Sequence, residues 1–354
     1  MLRLLFAACG LIVLLVPDVA LAWSYEGHRV VGSIADKLLA GSHAESQIKS
    51  ILNNGDNPDS KLDLRLAGPW PDCVKSVKRH DDGTYHYEID PEHLEYEVPC
   101  TSFNTKKERA RMEDYARRNW TQCSYKPDGF ERGCHNTYHF DDVALQRDRF
   151  DRSFQGTNDH DLIAAISAAI AVLADKPVPP PFPFSFKDKK EALLLLVHFI
   201  GDLHQPLHVG SVYLDADGKL VDPDIEHKVD PATETIGGNA LQDENRNLHL
   251  QWDDIPTDIG DAATRELLAD ARSVPASQGP LESWPAAWAS DSLLVARDAF
   301  AGLAFERIQP PPKVKWSITF DNHMDYLRRT DAIKRRQLAK GGARLAEILR
   351  TIWP

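Results

Sequence analysis

Two stretches of the sequence repeat one arrangement, an imidazole and a carboxylate four positions apart: His198 with Asp202, and His249 with Asp253. On a helix, four residues advance about 400° and about 6 Å, so each pair presents side by side on one face. Imidazole nitrogen and carboxylate oxygen are ligands suited to zinc. One such pair alone is commonly a surface hydrogen bond. Here His208 follows the first pair in HFIGDLHQPLH, and His198 stands in an otherwise apolar stripe, where a buried imidazole needs a partner. The set reads as a metal site.

The elements that must position these residues are mostly helical. Val30, Val31, Ile34, Leu38 and Leu39 mark one helix, and Leu162, Ile163, Ile166, Ile170 and Leu173 mark another, opened by Asn158 or Asp159. A third runs from about Lys187 to Gln205, where Pro206 stops it. Further helical patterns lie near Leu293 to Leu303 and from Asn322 to Ile352, the last with basic residues on its outer face. Strand alternation is scarce, so the expected fold is all-α, a single mainly helical domain with long loops. Residues 74–137 read as a disulfide-tied insertion with some helix around Arg109 to Trp120, and residues 209–247 as a second long loop. The proline run Pro177 to Pro183 reads as a rigid connector.

The chain has 354 residues, enough for one large domain, and a formal net charge of -12. That balance argues against a broad face for duplex nucleic acid and against an anionic membrane surface, but leaves room for a small pocket made cationic by metal ions. Met1-Leu2-Arg3, the apolar run Leu4 to Val16 and then Ala20-Leu21-Ala22 read as a secretory signal peptide over residues 1–22, leaving a mature domain of residues 23–354. The run is too short to span a bilayer. The expected location is therefore secreted or periplasmic, with no membrane association after signal removal, and a monomer is favoured. Cys73, Cys100, Cys123 and Cys134 then remain, an even number that suits two disulfides in any of three pairings. Cleavage after Ala22 frees the α-amine of Trp23, five residues before His28. An α-amine has a far lower pKa than lysine and can donate to a metal near neutral pH.

The mature start WSYEGH, WPD at Trp70 to Asp72, YHF at Tyr138 to Phe140, HFIGDLHQPLH and NLHLQWD at Asn247 to Asp253 together resemble the zinc-dependent single-strand-specific nucleases of the mung bean nuclease type. That family belongs to the superfamily that also holds zinc-dependent phospholipase C. The C-terminal GGARLAEIL is similar to the family as well. The resemblance implies three Zn²⁺: Asp72, His139, His198 and Asp202 around one, the Trp23 amine and carbonyl with His28 and the bridging Asp202 around a second, and His208, His249 and Asp253 around the third. It also implies that Lys75 faces the substrate phosphate, that Phe140 stacks on a base and that Asp142 reads the base.

His86, in TYHYEID, competes with His139, in TYHFDD, for one ligand position. His139 is preferred because Phe140 and Asp142 follow it, whereas His86 is followed by Tyr87 and by Ile89 in place of the acid. His135, His160 and His204 receive no role. The activity implied is cleavage of single-stranded RNA and DNA to 5′-phosphates, with 3′-nucleotidase action, by a zinc-bridging hydroxide; Asp72, Lys75 and Asp202 carry the catalysis. The rivals are a zinc-dependent phospholipase C and a non-catalytic zinc-binding protein. Against the first stand the short spacing from Trp23 to His28 and the aspartate, in place of glutamate, at Asp253.

Overall fold

The computed structural model describes residues 23–53, 61–89, 98–121, 123, 133–178, 184–225, 227–311 and 313–354. The segment read as a signal peptide lies outside the described residues, as do parts of the 74–137 insertion and of the proline run. Helices α1 (Tyr25–Leu39) and α2 (His43–Asn53) open the described chain, followed by the short α3 (Leu64–Ala67) and α4 (Trp70–Val74). The hairpin β1 (Val77–Arg79) and β2 (Tyr85–Tyr87) and helix α5 (Lys106–Arg118) come next, then β3 (Val143–Ala144), α6 (Leu162–Leu173) and α7 (Lys189–Leu203). Short strands β4 (Gly210–Ser211), β5 (Tyr213–Leu214), β6 (Leu220–Val221), β7 (Leu241–Asp243) and β8 (Arg246–Asn247) precede α8 (Leu248–Asp253). Helices α9 (Arg265–Ser273) and α10 (Trp284–Phe300), strands β9 (Leu303–Gln309) and β10 (Lys315–Phe320), and α11 (His323–Ile352) complete a mainly helical domain.

The core is built around α7, in which every residue from Lys190 to Leu203 is buried. Apolar side chains on all faces leave it no solvent side, so it must run through the interior. Asp188 caps it by accepting the Glu191 N–H, and His204 closes it just before Pro206. Helices α6, α11, α1 and α4 pack against it. Helix α11 crosses α1 at touching distance because Gly342 has no side chain: a Cβ there would lie 2.4 Å from Ile34 Cβ.

The structure differs from the sequence reading in three details. Helix α6 is capped by Asp161, whose carboxylate accepts the Ala164 N–H, while Asn158, expected as a cap, donates its own N–H to that carboxylate. Helix α10 begins at Trp284, earlier than its apolar pattern suggests. A four-stranded sheet in the order β8-β7-β10-β9 lies beside the helices, with β7 and β10 parallel and the other pairs antiparallel. Its strand β10 does alternate, with Trp316 and Ile318 buried.

The cysteines pair as Cys73–Cys100 and Cys123–Cys134. The first bridge ties α4 to the 3₁₀ turn Val98–Phe103 that leads into α5. Ion pairs also join α5 to the start of α7: Lys190 with Glu108, and Arg118 with the fully buried Glu191.

Candidate metal centre

Six local structures deliver side chains to one buried region. The first turn of α1 brings His28, and α4 brings Asp72. His139 follows the 3₁₀ turn Cys134–Thr137, and α7 supplies His198 and Asp202 on one face. The 3₁₀ turn Pro206–His208 supplies His208, and α8 supplies His249 and Asp253. Gly201 makes room for His28, since a Cβ there would lie 2.6 Å from its Nδ1. All eight residues are 3% exposed or less, so any charge among them must be compensated locally.

They gather into three groups of ligand atoms: Asp72, His139 and His198; His28, His198 and Asp202; and His208, His249 and Asp253. His198 Nε2 lies 3.0 Å from His139 Nδ1 and 3.7 Å from Asp72 Oδ1. Asp202 turns its Oδ2 toward His139 Nδ1, at 3.1 Å, and His198 Nε2, at 3.2 Å, while its Oδ1 faces His28 Nε2 at 3.4 Å. The two oxygens of one carboxylate thus address the first and second groups separately. In the third group the His208 and His249 Nε2 atoms lie 3.1 Å apart, each about as far from the Asp253 carboxylate as the other, at 3.8 and 3.7 Å.

These contacts fit a cation at each group. His198 Nδ1 is 2.8 Å from the Gly68 carbonyl, His208 Nδ1 2.7 Å from the His139 carbonyl, and His249 Nδ1 2.7 Å from the Gly237 carbonyl. A carbonyl only accepts, so each Nδ1 carries the proton and each Nε2 offers a lone pair. The lone pairs face one another and the carboxylates, an arrangement that repels until a positive charge lies between them. Asp72 Oδ2, Asp253 Oδ2 and both His28 ring nitrogens are buried with no hydrogen-bond partner among the described residues. Nitrogen and carboxylate oxygen together suit zinc.

Burial first, then His198, holds His28 well below the ordinary imidazole range, and burial first, then Lys75, brings His139 down to about 3. Burial lowers His208 and His249 as well, so these rings are neutral and competent as ligands. His198 moves up, because Asp202 and Asp72 outweigh its burial. Burial also opposes ionisation of Asp72 and Asp202, but Lys75 and His198 overcome it for Asp72, and His198 and His139 for Asp202, which both stay ionised. Burial pushes Asp253 up to about 8 against His249 and Gln205; a cation in the third group would restore its carboxylate.

Lys75 Nζ lies 2.7 Å from Asp72 Oδ1, and its charge also acts on His139, His208 and His249, so it sits within the cluster's field. Phe140 and Asp142 are half-buried beside His139. The Asp142 carboxyl receives the Gly237 N–H and the Ser211 hydroxyl and is pushed up to about 8 by burial, then by Glu234. Ile236, Gly237 and Gly238 all have positive φ, strained for the β-branched Ile236; this turn sets the Gly237 carbonyl on His249. Asn239 follows, its Nδ2 on the Ile236 carbonyl and its Oδ1 without a hydrogen-bond partner among the described residues.

The structure brings His139 into the cluster and places His86 on the exposed side of β2, across from Lys78 and against the His80 ring. His135 and His204 are buried but belong to none of the three groups, and His160 is half-buried. Trp23 is fully buried, and the neighbouring Ser24 N–H donates to the Asp253 carbonyl, which sets the start of the described chain against the third group.

Sequence reasoning missed two residues that hold candidate ligands in place. Gln205 accepts the Leu207 N–H at its Oε1, which fixes its Nε2 as the donor to Asp253 Oδ1 at 2.8 Å. Its signal was its place between two singled-out histidines. Lys334 of α11 donates to the Gln251 and Asp254 carbonyls at the end of α8, above the Trp252 ring; a lysine on a distant helix gives no local signal.

A family model described as S1/P1 Nuclease matches residues 23–115 and 108–354. Endonuclease 1 of Arabidopsis thaliana is 26% identical over 365 residues, covering 99% of this chain and 93% of the relative. Endonuclease 4 of the same plant is 26% identical over 191 residues, covering 54% of this chain and 46% of the relative.

Proposed function

The chain belongs to the S1/P1 nuclease family, and on that premise we propose that it is a trinuclear-zinc nuclease cleaving single-stranded RNA and DNA to 5′-phosphates, with 3′-nucleotidase activity. The observation that carries the reading is the split of Asp202, one oxygen toward each of two ligand groups, with a third three-residue group close by. Trp23 would complete the second group through its amine and carbonyl after signal removal. The third group, with three protein ligands, keeps a coordination position open, as catalytic sites do and structural sites do not. When bound, the ions supply a nucleophile from water at neutral pH and neutralise charge on the phosphate.

The chain's own residues supply the rest. Lys75 brings a positive charge to the face of the cluster where the phosphate binds, and Asp72 holds that ammonium in place. Asp202 keeps two groups in fixed register. Phe140 stacks on a base, which requires that the base be free of a duplex and so favours single strands. Asp142 hydrogen-bonds the base edge, its carboxyl oriented by Gly237 and Ser211. Among the described residues no helix is long and apolar enough to cross a membrane, and the disulfides fit an oxidising compartment, which supports secretion or a periplasmic location.

Zinc-loaded protein incubated with single-stranded DNA, RNA, 3′-AMP and phosphatidylcholine tests this reading. Turnover of the first three is expected. Lipid turnover without nucleotide turnover would assign the chain to phospholipase chemistry, and no turnover at all would leave a zinc-binding protein.

A further inference from the structure

Beyond Lys75, residues 74–137 hold features that the metal chemistry does not use. Within them, α5 and the loop before it form a groove of about 460 Å³ lined by Asn104, Lys106, Arg109, Ala110 and Glu113. The Arg109 guanidinium lies over the Tyr87 ring, 5.4 Å from its centroid, and its Nε is buried with no hydrogen-bond partner among the described residues. Lys106 is exposed, and Glu113 is engaged by the Tyr87 N–H at 3.0 Å. The lining therefore combines two cations, Lys106 and Arg109, the second a planar guanidinium stacked on a half-exposed tyrosine, with the exposed Asn104 amide and the one carboxylate of Glu113 turned to the Tyr87 N–H, in a chain whose net charge is -12. A phosphate beside a flat base is the chemistry that such a set receives.

The groove is tethered to the metal cluster. Cys73 follows the ligand Asp72 and is bridged to Cys100, with Cα atoms 5.7 Å apart. From Cys100 the 3₁₀ turn rises about 2 Å per residue toward Asn104, so the groove begins about 20 Å or less from Asp72. A strand covers that distance in about six stacked nucleotides, and in fewer when extended.

We propose that this groove is a nucleotide subsite that holds the single strand away from the cleavage point. The proposal rests on the nuclease reading and adds to it a reason for the insertion: longer substrates engage a second anchoring point that a mononucleotide cannot reach.

The test compares the unaltered zinc-loaded protein with Lys106→Glu and Arg109→Gln, on a twelve-nucleotide single-stranded DNA and on a 3′-nucleotide. Equilibrium binding of the fluorescent oligonucleotide to metal-free protein is measured in parallel. The variants should raise KM for the oligonucleotide about tenfold, as expected for one lost stacked contact, and leave 3′-nucleotide kinetics unchanged. Each removed phosphate contact should reduce the slope of log affinity against log salt by about 0.7. Lys106 is exposed, so its replacement leaves folding intact even if Arg109→Gln disturbs the hairpin. Unchanged oligonucleotide binding and an unchanged salt slope in Lys106→Glu would overturn the proposal. If neither substrate is turned over, the nuclease reading fails, and the binding measurement still decides the groove.

Discussion

The Nε2 atoms of His208 and His249 face each other 3.1 Å apart although each ring donates its Nδ1 proton to a backbone carbonyl. Two lone pairs at that distance, in the interior beside Asp253, define a place for positive charge. The same logic recurs at His198, whose proton is committed to Gly68 while its Nε2 meets His139 and Asp202. The backbone carbonyls thus set the tautomers before any metal arrives, which is how ligand histidines are oriented.

Replacing Asp202 with Asn should affect two groups together. An amide keeps the shape but loses the charge and one ligand oxygen, so zinc content measured by mass spectrometry should fall from three ions per chain toward about one, with the group of His208, His249 and Asp253 retained. Loss of a single ion would contradict the bridging role.

Gln205→Met leaves Asp253 Oδ1 without its donor, and Lys334→Met frees the end of α8. Either change should weaken zinc at the third group about 10–100-fold in chelator competition, the usual effect of removing a residue that orients a ligand. The first two groups should be unaffected.

Lys75→Met removes the ammonium 2.7 Å from Asp72. The expected result is a fall in kcat of about 100-fold, typical of a lost electrostatic contact to developing charge, with zinc content unchanged. Unchanged kcat would place Lys75 outside the reaction.

Metal-free protein should be sensitive to acid. Burial holds His28, His135, His139, His204, His208 and His249 below their ordinary value of 6.5, to about 3 for His135, His139 and His204. Below about 6.5 the unfolded chain therefore takes up protons at these rings that the folded chain refuses, so their contribution to stability is complete above that pH and is lost as pH falls toward 3. His198 works in the opposite sense, as do the buried carboxyls of Asp36, raised to about 7, and of Asp142 and Asp253, raised to about 8, where the folded chain keeps protons that the unfolded chain has lost. The thermal unfolding midpoint of chelator-treated protein should exceed that of its His204→Gln variant by less at pH 5 than at pH 7, because the contribution of the lowered His204 is lost on acidification, and a margin independent of pH would contradict this account.

Much of the cluster was legible because side chains that converge from one helix face leave a periodic trace. His198 with Asp202, and His249 with Asp253, share a helix face by spacing alone, and Pro206 marks the stop that turns His208 back toward them. The choice between His139 and His86 rested on the residues that follow each, and the structure separates them by burial. Contacts made by long-range approach left no such trace: Lys334 reaches α8 from α11, and Gly237 reaches His249 through a strained turn. Most of the short strands between residues 210 and 247 are two residues long, too few for alternation to show, and so read as loop.

Zinc-edge anomalous diffraction from crystals of the zinc-loaded mature protein tests the central claim most directly. Three peaks are expected, two of them on opposite oxygens of Asp202 and one among His208, His249 and Asp253. A single peak, or peaks away from these eight side chains, would contradict the account.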